Sequence, residues 1–173
     1  MTKYDDPRMV NYVYLQDLKE ENSSLWEDVI LLGAYVQEPF STDWIEQNAG
    51  NLLRRLRDKL SGQFRTEESL AYLHSPGSVQ SRDVTRALDQ HLRIILHCIA
   101  ISEQCDDYEY SGKLSSETLE IWKQMRELYE EIMEHESHER RMLSSAWSFS
   151  PFDGTDSEPA YRSERMRRFG SAE

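Results

Sequence analysis

Four side chains of this sequence combine a chemistry and a spacing that suit a metal ion. They are two carboxylates and two imidazoles, on Glu67, His91, His135 and Glu139. Carboxylate oxygens mixed with imidazole nitrogens are ligands that iron, manganese and zinc accept. His135 and Glu139 are four residues apart, so on a helix both side chains lie on one face. Gln63 precedes Glu67 by the same interval, which is how one helix presents two ligands.

Four helices are predicted to position these residues. In each segment the apolar residues recur at alternating spacings of three and four, which is typical of a helix with one buried face. The stripes run from Leu15 to Val36, from Ala49 to Leu70, from Val84 to Cys105 and from Ile121 to Ala146. The candidate ligands are polar interruptions of these stripes.

Turn and capping residues separate the four segments. A residue before proline is excluded from helical geometry, and Ser, Thr and Asp cap helix starts. In chain order the predicted boundaries are Glu38-Pro39, Ser41-Thr42-Asp43, the turn from Leu73 to Ser78, the caps Ser81 or Asp83, the polar connection from Asp106 to Gly112, and Ser115-Ser116-Glu117. Short connections between four long helices specify an all-α, antiparallel up-down-up-down four-helix bundle.

The length of 173 residues suits one domain with a single core. We expect an N-terminal arm at residues 1–11, the bundle at residues 12–147 and a disordered tail at residues 148–173. The tail is rich in Ser, Asp, Gly and Pro, and it carries Arg162, Arg165, Arg167 and Arg168 without a sustained pattern. Docking of this segment on the acidic body is the alternative to a solvated tail.

The polar interruptions are predicted to meet in one layer of the bundle. Counting residues along helices of alternating direction brings six of them to the same level: Asn22, Gln63, Glu67, His91, His135 and Glu139. A buried polar group without a partner costs about 1–3 kcal/mol, so the layer must be satisfied internally or by a ligand. His138 follows on the flank of the fourth stripe. A solvated side chain is the simpler interpretation there, and an auxiliary ligand is the alternative.

The charge balance excludes several classes of partner. The chain has 32 acidic and 20 basic residues, a formal charge of −12 and a pI near 4.9. Nucleic acids and anionic membranes need a basic surface, so neither is expected as a partner. No stretch reaches the roughly 18 apolar residues of a membrane span. Acidic residues also occupy the place of a signal peptide, at Asp5, Asp6, Asp17 and Glu20. We therefore expect a soluble cytoplasmic protein.

The cysteines and the absence of catalytic motifs favour a non-enzymatic role. Cys98 and Cys105 are seven residues apart on one predicted helix, too far to bridge each other, so both are predicted to be reduced core thiols. The sequence contains no glycine-rich phosphate loop, CxxC pair, nucleophile elbow or zinc-protease motif. Hydrolytic and nucleotide-dependent catalysis are therefore not expected.

From about Tyr12 to Trp147 the chain resembles the hemerythrin-like, or HHE cation-binding, four-helix bundles. The matching pieces are Glu20-Glu21-Asn22 with Leu25-Trp26, Gln63-Phe64 with Glu67-Glu68 and Tyr72-Leu73, His91, and His135-Glu136 with Glu139 and Leu143. The resemblance implies a site for a pair of irons, with Glu67, His91, His135 and Glu139 as the retained ligands. The chain departs from the family pattern at Asn22 and Gln63, which replace histidines. It also departs at Ile95, where some members have another histidine.

These departures leave more than one interpretation of the layer. Asn22 and Gln63 are weak neutral ligands, which leaves four good donors. These four retained residues can hold one or two ions, with iron as the first candidate and zinc or manganese as the next. Alternatively, Asn22 and Gln63 hydrogen-bond the retained residues and no metal binds. The sequence thus predicts a non-catalytic sensing module, or a metal-free relic that acts as a scaffold for a protein partner. A ferritin-like di-metal carboxylate oxidase or an oxygen-handling diiron protein is the rival hypothesis.

Overall fold

The computed structural model describes residues 22–38, 41–69 and 81–148, with side chains described as far as Met142. Four helices fill these ranges, and no strand occurs in them: α1 Ser23–Gln37, α2 Thr42–Glu67, α3 Ser81–Tyr110 and α4 Leu114–Ser148. The predicted all-α class is confirmed for this part of the chain. The predicted N-terminal arm, the stripe residues Leu15 and Leu18, and the tail beyond Ser148 lie outside the described residues.

The helix boundaries around α1 and α2 follow the predicted signals. Glu38 leaves helical geometry with ψ of 160° directly before Pro39, so α1 ends where proline requires it. Ser41 caps α2, because its side-chain oxygen accepts a hydrogen bond from the Trp44 amide at 3.4 Å. Asn22 precedes α1, but its side chain makes no capping hydrogen bond. It is used elsewhere, in the polar layer.

The predicted connection between α3 and α4 is shorter than expected. The polar run from Asp106 to Gly112 was predicted as a connection, yet α3 continues through Tyr110. Asp106 and Asp107 lie on the exposed face of the helix, where acidic residues do not end it. The helix ends at Tyr110, and two residues later Gly112 has a φ of 67°, the left-handed conformation that glycine adopts without strain. The Lys113 amide then donates to the Tyr108 carbonyl at 2.8 Å and closes the turn.

The four helices share one apolar core. Helix α1 packs on α2 and α4, and α3 packs on α2 and α4. The largest fully buried side chains are Leu25, Leu32, Leu52, Leu53, Leu56, Ile94, Ile101, Ile121, Met125, Leu128 and Ile132. None of the helices described in these ranges is long and apolar enough to cross a membrane.

Both cysteines belong to this core, as predicted. Burial raises the pKa of Cys98 to about 12 and that of Cys105 to about 11. Each thiol therefore stays protonated near neutral pH, and a protonated thiol is a poor nucleophile and a poor metal ligand. Neither cysteine enters the candidate site.

A buried carboxylate ties α1 to α2. Asp28 accepts hydrogen bonds from Arg55 at 2.9 Å and from Lys59 at 2.7 Å. Burial alone would raise the pKa of Asp28, but the hydrogen bonds from the two cations outweigh it and hold the pKa below its usual value. The ionised carboxylate thus stabilises the contact between these helices at neutral pH.

Candidate metal centre

The site begins with a chain of hydrogen bonds between α1 and α2. The Asn22 amide donates to Gln63 Oε1 at 3.0 Å, and Gln63 Nε2 donates to Glu67 Oε1 at 2.7 Å. Gln63 and Glu67 are buried on the inner face of α2, one turn apart. This chain fixes the carboxylate of Glu67 through one oxygen. Its other oxygen, Oε2, is the one that lies near α3.

His91 presents its two ring nitrogens to two different carboxylates. Nδ1 lies 2.8 Å from Glu68 Oε1, and Nε2 lies 3.4 Å from Glu67 Oε2. A carboxylate only accepts hydrogen bonds, so Nδ1 carries a proton and donates a hydrogen bond to Glu68. In the neutral imidazole the lone pair is then on Nε2 and points toward Glu67. This is the orientation in which metal-binding histidines are held by an outer carboxylate.

His135 approaches from α4. Its Nδ1 lies 3.5 Å from the side-chain oxygen of Gln90, a residue of α3. The His135 ring meets the His91 ring edge to face, with centroids 4.6 Å apart. Phe64 stacks on His91 with a centroid distance of 3.9 Å and forms an apolar wall beside both imidazoles. The two rings are thus held by packing as well as by hydrogen bonds.

Three of the predicted ligands come together. One ligand atom from each of Glu67, His91 and His135 lies within 4.8 Å of the other two, and all three residues are buried. Around a divalent ion with bonds near 2.1 Å, neighbouring ligand atoms are about 3.0–3.5 Å apart. The 3.4 Å between His91 Nε2 and Glu67 Oε2 already falls in that range. These three donors could therefore hold one ion.

Glu139 is placed in a second, overlapping group. His135, Glu136 and Glu139 also each offer a ligand atom within 4.8 Å of the others. Glu139 is fully buried, and Glu136 is partly exposed. In the described residues, then, the four predicted ligands form two groups that share His135. Glu139 does not belong to the group formed by Glu67 and His91.

His138 differs from the simpler prediction. The expected solvated side chain is wrong, because only 5% of His138 is exposed. His138 lies beside the first turn of α3, with Asp83 Oδ1 3.8 Å from His138 Nε2. Burial and the nearby Arg86 lower its pKa, while Asp83 opposes them. Neither of the two donor groups found among the described residues includes His138.

Glu68 and Gln90 are the two contacts that the sequence reasoning missed as site residues. Each adjoins a candidate ligand in the chain, Glu67 and His91 respectively, but points about 100° away from it around the helix. Spacing along a stripe selects only residues of one face, so it passes over both. A polar residue directly beside a predicted ligand is the signal that could have found them.

Comparisons with known proteins do not extend this picture. No family model, curated protein or solved structure matches the chain. The resemblance to hemerythrin-like bundles therefore stays a prediction that rests on the residues quoted for it. The geometry around Glu67, His91 and His135 carries the functional interpretation.

Proposed function

We propose that the chain is a hemerythrin-like, non-catalytic sensing module that binds one divalent metal ion at Glu67, His91 and His135. The helices would run up-down-up-down around this site. The order of the contacts supports that arrangement. Along α1 and α2, Asn22 meets Gln63 and Asp28 meets Arg55, so one number rises as the other falls.

The same order recurs between the other neighbouring helices. Between α2 and α3, Arg54 meets Asp106 and Glu67 meets His91. Between α3 and α4, Arg86 meets Glu134, whereas the later residue His97 meets the earlier residue Glu131. Helices that pair in opposite numerical order run in opposite directions, which is what an up-down-up-down bundle requires.

The single observation that carries the metal proposal is the convergence of three buried ligand atoms from three helices. Each of the three residues also contacts a further polar side chain: Glu67 contacts Gln63, His91 contacts Glu68 and His135 contacts Gln90. Structural metal sites are built in this layered way. His91 Nε2 also faces Glu67 Oε2 at 3.4 Å, so an imidazole nitrogen and a carboxylate oxygen that an ion could share already lie side by side.

Iron is the metal that the donors favour. Two imidazoles and one carboxylate leave coordination positions open, and this donor set is characteristic of non-haem iron. Bound iron would supply affinity for oxygen, nitric oxide or peroxide, as the family resemblance implies. Zinc and manganese accept the same donors and are the next candidates. The signal would pass to a protein partner through the helices that hold the ion.

A second candidate function is a ferritin-like di-metal carboxylate oxidase or an oxygen-handling diiron protein. The observation that favours it is the second donor group of His135, Glu136 and Glu139 next to the first. Against it, Glu67 and Glu139 are the only glutamates of the described residues that are buried, and di-metal oxidases of this type use more inward carboxylates. Binding of two irons with sustained oxygen consumption would favour the oxidase over the sensor.

The experiment is metal analysis of the purified chain before and after anaerobic incubation with ferrous iron, followed by an ultraviolet-visible spectrum in air. We expect about one bound iron per chain and a charge-transfer band that changes in air. His91→Gln should lose the bound iron. His97→Gln is the matched control, because His97 lies on the same helix but bonds Glu131 outside the site. Absence of iron, zinc and manganese under all conditions would mean a hydrogen-bonded layer in an interaction scaffold.

A further inference from the structure

A cleft between the end of α1 and the middle of α4 has the composition of a binding site for a guanidinium group. Its volume is about 650 Å³, which is within the usual range of ligand pockets. The residues that matter are Glu38 at the end of α1 and Trp122, Arg126, Tyr129 and Glu130 on α4. The cleft does not include any residue of the candidate metal centre.

The backbone of α1 holds both aromatic walls of the cleft. Trp122 donates its indole N–H to the Tyr35 carbonyl at 3.2 Å, which fixes the ring plane. Tyr129 lies directly on Gly33, where a Cβ atom would be only 2.8 Å from the tyrosine ring. Both rings are partly buried. The walls are therefore preformed, with ring surface still open to the cleft.

The charges of the cleft favour a cation. Glu38 and Glu130 contribute two carboxylates, and the C-terminal end of α1 adds the negative end of a helix dipole. Among the described lining residues Arg126 is the one cation. Its guanidinium carbon lies 5.9 Å from the Trp122 ring centroid, and its Nε lies 3.4 Å from Glu130 Oε1. The cleft thus already accommodates one guanidinium by cation–π contact and a carboxylate.

The chain itself carries the matching ligand. Four arginines, Arg162, Arg165, Arg167 and Arg168, lie close together near the C-terminus of a chain with a formal charge of −12. Helix α4 ends at Ser148, about 33 Å along the helix axis from Arg126. An extended chain of the 14 residues from 149 to 162 spans at most about 46–50 Å. The arginines can therefore reach the cleft of their own chain.

We propose that the arginines of residues 162–168 bind in this cleft, between the Trp122 and Tyr129 rings and the carboxylates of Glu38 and Glu130. A single exposed cation–π contact with exposed carboxylates is weak on its own. A tether raises the local concentration of the ligand to about the millimolar range, so a weak site is occupied by its own chain first. The arginine that occupies the cleft is therefore expected to come from the same chain and not from a separate partner.

The test uses a synthetic peptide with the sequence of residues 159–170 and two full-length proteins. One is the wild type, and the other carries Arg162→Gln, Arg165→Gln, Arg167→Gln and Arg168→Gln. Binding of the peptide is followed by NMR chemical shifts of the Trp122 indole. The peptide should bind the variant about two- to tenfold more tightly, because the wild-type arginines compete for the cleft. Equal affinities for the two proteins, or no binding to either, would overturn the proposal.

Two changes in the cleft and one control outside it, made in the four-arginine variant, test the chemistry of binding. Glu130→Gln should weaken binding of the peptide. Glu120→Gln should leave it unchanged, since Glu120 lies outside the cleft beside Lys123. Arg126→Ala should strengthen binding about two- to fivefold, because it removes the built-in competitor from the Trp122 ring. Weaker binding to the Arg126→Ala protein would show that Arg126 attracts an anion, and the assignment of a guanidinium ligand would then be wrong.

Discussion

At the scale of single residues, the most informative contact is the one between His91 and Glu68. Glu68 accepts from Nδ1 at 2.8 Å and so leaves the Nε2 lone pair directed at Glu67. At His135 the atom next to Nδ1 is the side-chain oxygen of Gln90, which belongs to a neutral amide. An outer carboxylate orients the ring and increases the basicity of the nitrogen that binds the metal. His91 is therefore expected to be the strongest imidazole ligand of the site.

Replacement of Glu68 tests this role. Glu68→Ala should lower the affinity for Zn²⁺ or Co²⁺ about 10- to 100-fold, because the His91 ring loses its orienting acceptor. Glu68→Gln retains an acceptor oxygen and should lose much less. Isothermal titration calorimetry measures both. Glu134→Ala is the control for the lost charge, since Glu134 is exposed and bonds Arg86 away from the site. An equal loss in the Glu68→Ala and Glu134→Ala proteins would contradict an orienting role.

At the scale of elements, the packing of α1 on α4 depends on a glycine. Gly33 is buried, and the Tyr129 ring occupies the space that a side chain at this position would need. The same contact forms one wall of the cleft between these helices. Gly62 on α2 provides a contrast, because a Cβ atom added there meets nothing within 4 Å.

Alanine at these two glycines should therefore act in opposite directions. Gly33→Ala should lower the free energy of unfolding by about 1–2 kcal/mol through overpacking against Tyr129. Gly62→Ala should raise it by about 0.5–1 kcal/mol, because alanine has the higher helix propensity. Urea denaturation followed by circular dichroism measures both. In a double-mutant cycle with Tyr129→Ala, the loss from Gly33→Ala should largely disappear. A similar gain in stability from both alanine substitutions would contradict the close contact.

At the scale of the whole molecule, the polar layer links all four helices across the core. Asn22 precedes α1, Gln63 and Glu67 belong to α2, His91 to α3 and His135 to α4. Binding of one ion would join α2, α3 and α4, so it should stabilise the bundle by about 2.7 kcal/mol at a metal concentration 100 times Kd. The layer is nevertheless costly to bury in its polar form.

Removal of the two buried carboxylates separates binding from folding. Glu67→Leu with Glu139→Leu should abolish metal binding and leave the metal-free helical fold intact. The free energy of unfolding should change little, because two carboxylates no longer have to be buried while Gln63 Nε2 loses its acceptor. Circular dichroism and urea denaturation of the metal-free protein measure this. For comparison, Leu56→Ala creates a cavity in the apolar core and should lower the free energy of unfolding by about 2–5 kcal/mol. Unfolding of the double variant in metal-free form would show that the polar layer is structurally required.

Much of this architecture was open to prediction because helices have a fixed period. The alternating spacing of apolar residues correctly gave four helices, and the Ser41 cap and the stop before Pro39 were found where local chemistry demands them. The predicted end of α3 was too early. Asp106 and Asp107 are polar because they lie on the exposed face of the helix, and they do not form a turn. The residue that marks the turn after α3 is Gly112, which has the left-handed backbone conformation.

By itself, the sequence determined the helical class, the buried faces and the kinds of ligand atom available on them. Each of these depends on residue type and on the 3.6-residue period, which are properties of one segment at a time. The tertiary structure alone decided that Glu68 and Gln90 contact the imidazoles, that Asp83 lies beside His138, and that Glu139 joins a different donor group from Glu67. Such pairings depend on how each helix is rotated and shifted against its neighbours. That rotation is set by side-chain packing among residues far apart in the chain.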